Sequence, residues 1–171
     1  MRRGYFIGDG TGVGKGREIA GIITDNWNQG RKKHVWVSQK QTLLEDAERD
    51  WTALGQDAKN LVHFDKIRKG KEQPKEGVAF ITYDTIKGRP KDDTKPSNLD
   101  ELVKWLGEDF DGVIAFDEAH GMANALNTEG GRGVKNASQK ALAGVDLQKR
   151  LPKARVVYVS ATGATELSNL A

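Results

Sequence analysis

Short continuous apolar runs alternate along the chain with stretches whose apolar residues recur every three or four positions, and this alternation predicts a β-α succession. The runs fall near residues 5–8, 34–38, 61–64, 77–82, 113–117 and 155–160. They are short and carry little polar alternation, as expected of parallel strands covered on both faces. Between them Leu43, Leu44, Ala47, Trp51 and Leu54 keep a helical spacing, as do Leu99, Leu102, Val103 and Leu106 after the capping residues Ser97 and Asn98. Trp27, Trp51 and Trp105 then read as packing between helices and sheet. Residues 87–96, rich in Pro and Lys, read as an exposed insertion, and residues 124–136, rich in Gly and Asn, as a mobile loop. The expected architecture is α/β, a three-layer α/β/α sandwich around a mostly parallel sheet. No internal repeat or heptad is visible.

The densest chemistry lies where the first apolar run gives way to a helix-like segment, in Gly8-Asp9-Gly10-Thr11-Gly12-Val13-Gly14-Lys15-Gly16. Glycines let successive backbone N–H groups turn inward without a Cβ clash, a helix N-terminus adds positive potential, and Lys15 supplies a point charge for β- and γ-phosphates. Two departures from the P-loop formula stand out. Asp9 sits where the first glycine is expected, and Gly16 replaces the Ser or Thr whose hydroxyl ligates Mg²⁺. A dinucleotide fingerprint fits less well, because no register of these glycines gives its spacing and the run His34-Val35-Trp36-Val37-Ser38 lacks a terminal acid for a ribose.

Far downstream, the apolar run Gly112-Val113-Ile114-Ala115-Phe116 ends in Asp117-Glu118-Ala119-His120. Ligands of open α/β sheets lie beyond the carboxyl ends of strands, so both acids would emerge beside the phosphates. One carboxylate can hold Mg²⁺ and the other can orient or deprotonate the attacking water. A third run, residues 154–159, ends in Ser160-Ala161-Thr162, whose hydroxyls are placed to bond the acidic motif and report the γ-phosphate.

Composition narrows the picture little further. The 171 residues, 37% hydrophobic, suit one compact α/β domain and argue against disorder. With no cysteine, disulfide frameworks and zinc ribbons are excluded, and His34, His63 and His120 show no metal-ligand spacing. No apolar run reaches membrane-spanning length, and no signal peptide is visible. The charge of +3 permits nucleic-acid contact without showing it. The basic clusters Arg31-Lys32-Lys33 and Lys66-Ile67-Arg68-Lys69-Gly70-Lys71 read as solvated turns.

Taken in order, Gly-Thr-Gly-Val-Gly-Lys, Asp-Glu-Ala-His and Ser-Ala-Thr resemble motifs I, II (the DEAH box) and III of superfamily 2 helicases. More narrowly, the chain resembles the helicase-like domain of the Strawberry notch family. That likeness runs through Tyr5-Phe6-Ile7-Gly8-Asp9-Gly10, Gly12-Val13-Gly14-Lys15-Gly16-Arg17, Ile19-Ala20-Gly21-Ile22-Ile23, Asp46-Ala47-Glu48-Arg49-Asp50, Asp109-Phe110-Asp111-Gly112-Val113-Ile114, Leu151-Pro152-Lys153-Ala154-Arg155-Val156-Val157-Tyr158 and Ser160-Ala161-Thr162-Gly163-Ala164. Gly16 follows this family's own pattern.

The resemblance implies a single RecA-like P-loop NTPase domain over residues 1–171, the first of a motor pair that closes on ATP and moves along nucleic acid. The second RecA-like domain, with its arginine finger, is expected beyond Ala171, and no adenine-reading segment is expected in the three residues before Gly4. ATP and Mg²⁺ are the implied cofactors. Asp9, Gly10, Thr11, Gly12, Val13, Gly14, Lys15, Gly16 and Arg17 would hold the phosphates, Asp117 the Mg²⁺ and Glu118 the water. His120 belongs to motif II, and Ser160, Ala161 and Thr162 would couple hydrolysis to movement. Ser38, Thr82 and Thr85 lie where motifs Ia and Ib hold a DNA or RNA backbone without regard to sequence. Capping is the competing reading for Thr82 and Thr85, and the preferred one for Thr42. The expected location is the cytoplasm or nucleus, cytoplasmic for a bacterial or phage source, with no membrane partner. The alternative function is a nucleotide-dependent module for protein or chromatin partners, without productive turnover.

Overall fold

This computed structural model describes residues 4–8, 14–68, 72–119 and 135–160. Six strands, β1 (Gly4–Gly8), β2 (Lys33–Ser38), β3 (Leu61–His63), β4 (Gly77–Thr82), β5 (Val113–Phe116) and β6 (Arg155–Ser160), form one sheet in the order β1-β6-β5-β2-β4-β3. All pairings are parallel, so the carboxyl ends of the strands gather at one edge. The six apolar runs are the six strands, with Phe64 opening a helix and Asp117 a turn where the sequence pattern extended the strand by one residue.

Among the described residues six α-helices connect them: α1 (Lys15–Asn28), α2 (Leu44–Ala53), α3 (Phe64–Arg68), α4 (Tyr83–Lys87), α5 (Asn98–Leu106) and α6 (Lys135–Arg150). Because side chains alternate across each strand, the sheet has two apolar faces. On one, Trp36, Phe80, Val113, Ala115, Val157 and Val159 pack with Ile19, Ile23 and Trp27 of α1 and with Ala47 and Trp51 of α2. On the other, Val35, Ile81, Ile114, Phe116 and Tyr158 meet Ile67, Ile86, Leu102, Trp105 and Leu147. This is the three-layer sandwich expected, and the tryptophans lie between helix and sheet. Trp51 is fully buried, its indole N–H donating to the carbonyl of Asp57 at 2.9 Å. Burying such a side chain contributes about 2–3 kcal/mol.

Ser97 caps α5 in a reciprocal box, its Oγ accepting from Asp100 N at 3.1 Å while Asp100 Oδ2 accepts from Ser97 N at 2.9 Å. Arg150 of α6 donates to the other oxygen of Asp100 at 2.6 Å. Together these bonds, the Ser97 amide foremost, lower the Asp100 pKa to about 2. Asn98 does not cap: its amide donates to Thr85 O at 2.8 Å and accepts from Arg68 at 3.1 Å, joining α3, α4 and α5. Nor does Thr42, which lies within a short 3-10 turn (Gln41–Leu43) that starts from an extended Lys40 with no side-chain cap.

The cluster Arg31-Lys32-Lys33, read as a solvated turn, is exposed only at Lys32, with Arg31 and Lys33 half-buried. Lys33 Nζ donates to Trp105 O at 2.6 Å and lies 4.9 Å from the Trp105 ring, while Lys32 Nζ lies 4.7 Å from that of Trp27. The long stems cover aromatic surface while the charges find acceptors or ring faces. Of residues 87–96, read as an exposed insertion, 89 and 91–96 are exposed, while 87, 88 and 90 are half-buried and Lys87 ends α4. Most of the glycine-rich stretch 124–136 lies outside the described residues. Among those described, no helix is long and apolar enough to cross a membrane.

Candidate nucleotide site

The sheet topology brings the sequence motifs together. In the order β1-β6-β5-β2, Gly8 pairs with Ser160, Phe116 with Tyr158, and Val37 with Phe116. The strands that precede the glycine loop, the hydroxyl motif and the acidic motif are therefore neighbours ending at one edge. A cleft of about 580 Å³ opens there, lined by Gly14, Lys15, Gly16 and Arg17 of the α1 start, Trp36 and Ser38 of β2, Phe80 of β4, Asp117 and Glu118 after β5, and Leu43, Asp46, Ala47, Arg49 and Asp50 at and beside α2.

Gly14 enters α1 at φ 96°, a left-handed conformation that a residue with a Cβ resists. That turn presents the N-terminus of a helix of 14 residues to the cleft, where its free N–H groups favour an anion. Lys15 is only 4% exposed, and its Nζ has no hydrogen-bond partner among the described residues. A buried ammonium without an acceptor is costly. At a helix N-terminus lining a cleft, it fits a phosphate.

The acidic turn is pinned from both sides. Asp117 N donates to Val37 O of β2 at 2.9 Å, and Ala119 N to Val159 O of β6 at 2.8 Å. Asp117 Oδ1 accepts from the amide of Glu118 at 2.9 Å, and Glu118 stands at φ 53°, alone among the described non-glycine residues in the left-handed region. Burial raises the pKa of Asp117 above its ordinary value and the charge of Glu118 adds to the effect, while the Glu118 amide, Lys15 and the Trp36 indole pull it down. A divalent cation is the natural counter-charge for such a carboxylate. Among the described residues no three acidic or imidazole groups converge as a metal cage, so a cation here would draw most of its shell from phosphate oxygens and water, as Mg²⁺ does.

Ser38 is fully buried, its Oγ has no partner among the described residues, and it lines this cleft beside Lys15 and Asp117. Thr82 caps α4, accepting from Thr85 N at 3.2 Å, and the two hydroxyls lie 2.9 Å apart. Both are thereby engaged within the protein. Ser160 is buried at the end of β6. Asp9, Gly10, Thr11, Gly12, Val13, His120, Ala161 and Thr162 lie outside the described residues.

Trp36, Phe80 and the acids Asp46 and Asp50 also line the cleft, with no motif to announce them. Their signal was present in part. Leu43, Asp46, Ala47 and Asp50 follow the i, i+3, i+4, i+7 spacing of one helix face, so two acids share a stripe with apolar residues that pack inward.

Comparison with known proteins agrees with this geometry. The chain is 48% identical to strawberry notch homolog 1 of Gallus gallus and 41% identical to FORGETTER 1 of Arabidopsis thaliana, each match covering 99% of this chain. It spans only 14% and 13% of those relatives' length. Among solved structures, the SWI2/SNF2 ATPase core of Sulfolobus solfataricus, in complex with dsDNA, superposes on 98% of this chain and 30% of its own with a TM-score of 0.57 at 17% identity, a likeness of fold. All of residues 1–171 match the family described as P-loop containing NTP hydrolase pore-1, and the chain, corresponding to a region of the strawberry notch proteins, belongs to that family.

Proposed function

We propose that the chain binds ATP with Mg²⁺ in this cleft and serves as the first motor domain of a nucleic-acid-dependent ATPase of the superfamily 2 type. The observation that carries the reading is the buried Nζ of Lys15 at the α1 N-terminus, without a hydrogen-bond partner among the described residues and in one cleft with Asp117 and Glu118. Lys15 would hold the β- and γ-phosphates, and Asp117 would face the cation. Mg²⁺ bound there would supply charge neutralisation at the phosphate oxygens. Glu118 would orient the attacking water and accept its proton as the oxygen bonds to the γ-phosphorus.

A nucleic-acid track finds support in the solved neighbour bound to dsDNA. It is also supported by the segment Thr82-Tyr83-Asp84-Thr85, which stands at the same sheet edge and is tied to the acidic turn through Tyr83. Gly16, which lacks the hydroxyl of the general P-loop, favours a second reading in which nucleotide is bound without turnover to shape a surface for a protein partner. Titration of wild type and Lys15→Ala with a fluorescent ATP analogue in Mg²⁺ tests the shared premise. The wild type is expected to bind and the variant to lose most of its affinity. Equal affinities would contradict the cradle.

A further inference from the structure

At Gly16 the chain lacks the hydroxyl that P-loops place against Mg²⁺. That space is filled. A Cβ built on Gly16 would collide with Oδ2 of Asp50 and lie 3.2 Å from its Cγ. A hydroxyl carried on such a Cβ would compete for the volume that the carboxylate oxygen now holds. Asp50 reaches this point from α2, and its side chain is 21% exposed on the wall of the cleft. Its other oxygen, Oδ1, accepts from Arg17 Nε at 3.2 Å, the sole hydrogen bond of this carboxylate among the described residues. Arg17 thus fixes the orientation in which Oδ2 overlies Gly16.

A carboxylate near a phosphate site is unfavourable unless a cation lies between them. The buried Nζ of Lys15 in the same cleft, without a hydrogen-bond partner among the described residues, marks the place of an anion. We infer that Asp50 takes over the duty of the missing hydroxyl, holding the nucleotide's Mg²⁺ directly or through one water. Gly16 is bare to admit it, and Arg17 is its positioning residue. This rests on the reading of the cleft as a Mg²⁺–nucleotide site and adds a ligand from outside the glycine loop.

A full negative charge in place of a hydroxyl has a signature that packing alone lacks. With Mg²⁺ present Asp50 should strengthen nucleotide binding, and with the metal chelated it should repel the phosphates. The test is titration of a fluorescent ATP analogue, in Mg²⁺ and in EDTA, into the wild type, Asp50→Asn and Lys15→Ala. Asp50→Asn keeps the shape and the acceptor for Arg17. It is expected to weaken binding about tenfold in Mg²⁺ and to improve it in EDTA. The double variant Gly16→Ser/Asp50→Ala, which restores a hydroxyl in the vacated volume, should recover part of the Mg²⁺ dependence that Asp50→Ala loses. An unchanged ratio of the two affinities in Asp50→Asn, with Lys15→Ala still defective, would overturn the role of Asp50 and leave the nucleotide site standing. No binding by the wild type in either condition would overturn both.

Discussion

The phenolic hydroxyl of Tyr83 donates a hydrogen bond of 2.8 Å to the backbone carbonyl of Asp117. Tyr83 opens α4 at the end of β4, is 4% exposed, and stacks on Phe116 at 6.3 Å between ring centroids. Phe116 in turn stacks on Tyr158 of β6 at 5.7 Å. The helix after β4, the acidic turn after β5 and the strand leading to Ser160 are thereby one packed unit. Movement in the Thr82–Thr85 segment would reach the acids through this contact.

Tyr83→Phe should therefore leave the Asp117 carbonyl without its partner and lower the unfolding free energy by about 1–3 kcal/mol, read by urea denaturation. Burial, aided by the charges of Asp117 and Glu118, raises the Tyr83 pKa well above 10.0. In the folded state this phenol stays neutral, so its contribution is present below pH 10 and is lost as pH rises through the raised value. The variant should be less sensitive to alkali than the wild type. Equal alkaline profiles would show that Tyr83 is not held as described.

Lys15→Met should behave in opposite ways with and without nucleotide. The Met stem fills the same space and removes an ammonium that has no acceptor among the described residues. Without ligand the variant should be at least as stable as the wild type, and more stable by about 1 kcal/mol if the desolvation cost is fully recovered. With Mg²⁺-ATP at a hundredfold excess over Kd, the wild type alone should gain about 2.7 kcal/mol. Thermal or urea unfolding with and without nucleotide reads both signs. A variant destabilised in the absence of ligand would mean that Lys15 has an internal partner.

His34 supplies a pH test remote from the cleft. It is fully buried, its Nδ1 accepting from Val113 N at 2.9 Å and its Nε2 donating to Arg31 O at 2.6 Å, which ties β2 to β5. Burial lowers its pKa from 6.5 to about 4, against the raising effect of the Arg31 carbonyl. Between these values the unfolded chain binds a proton that the folded chain refuses. The contribution of His34 is therefore complete above pH 6.5 and falls as pH drops towards 4, by about 3 kcal/mol in all. The stability difference between wild type and His34→Gln should be flat above pH 7 and shrink across that window. A difference independent of pH would contradict the neutral, buried tautomer.

Strand β5 was legible because parallel strands, covered on both faces, read as unbroken apolar runs, and Asp117-Glu118 marks where the cover ends. The Ser97 cap was legible because its partner Asp100 is three residues away. Contacts made across the sequence were not. Asp50 meets Arg17 over 33 positions, and Asn98 meets Arg68 over 30, through helix packing that no local pattern encodes. His34 looked like any strand residue because its partner Val113 is 79 positions away. Thr42 followed a local rule for capping, yet the turn around it begins from Lys40.

The cleft is proposed to serve a nucleic-acid-coupled ATPase whose water is handled by Glu118. This is tested most directly by steady-state phosphate release by the 171-residue chain, by any longer protein found to contain it and by that protein with Glu118→Gln, each with and without single-stranded and duplex DNA or RNA. An arginine finger from a second domain typically adds about 10³ to 10⁵ in rate, so the chain alone should turn over very slowly. The longer protein should hydrolyse ATP faster with nucleic acid, and Glu118→Gln should abolish turnover while nucleotide binding survives. Turnover indifferent to nucleic acid, or undiminished by Glu118→Gln, would contradict the account.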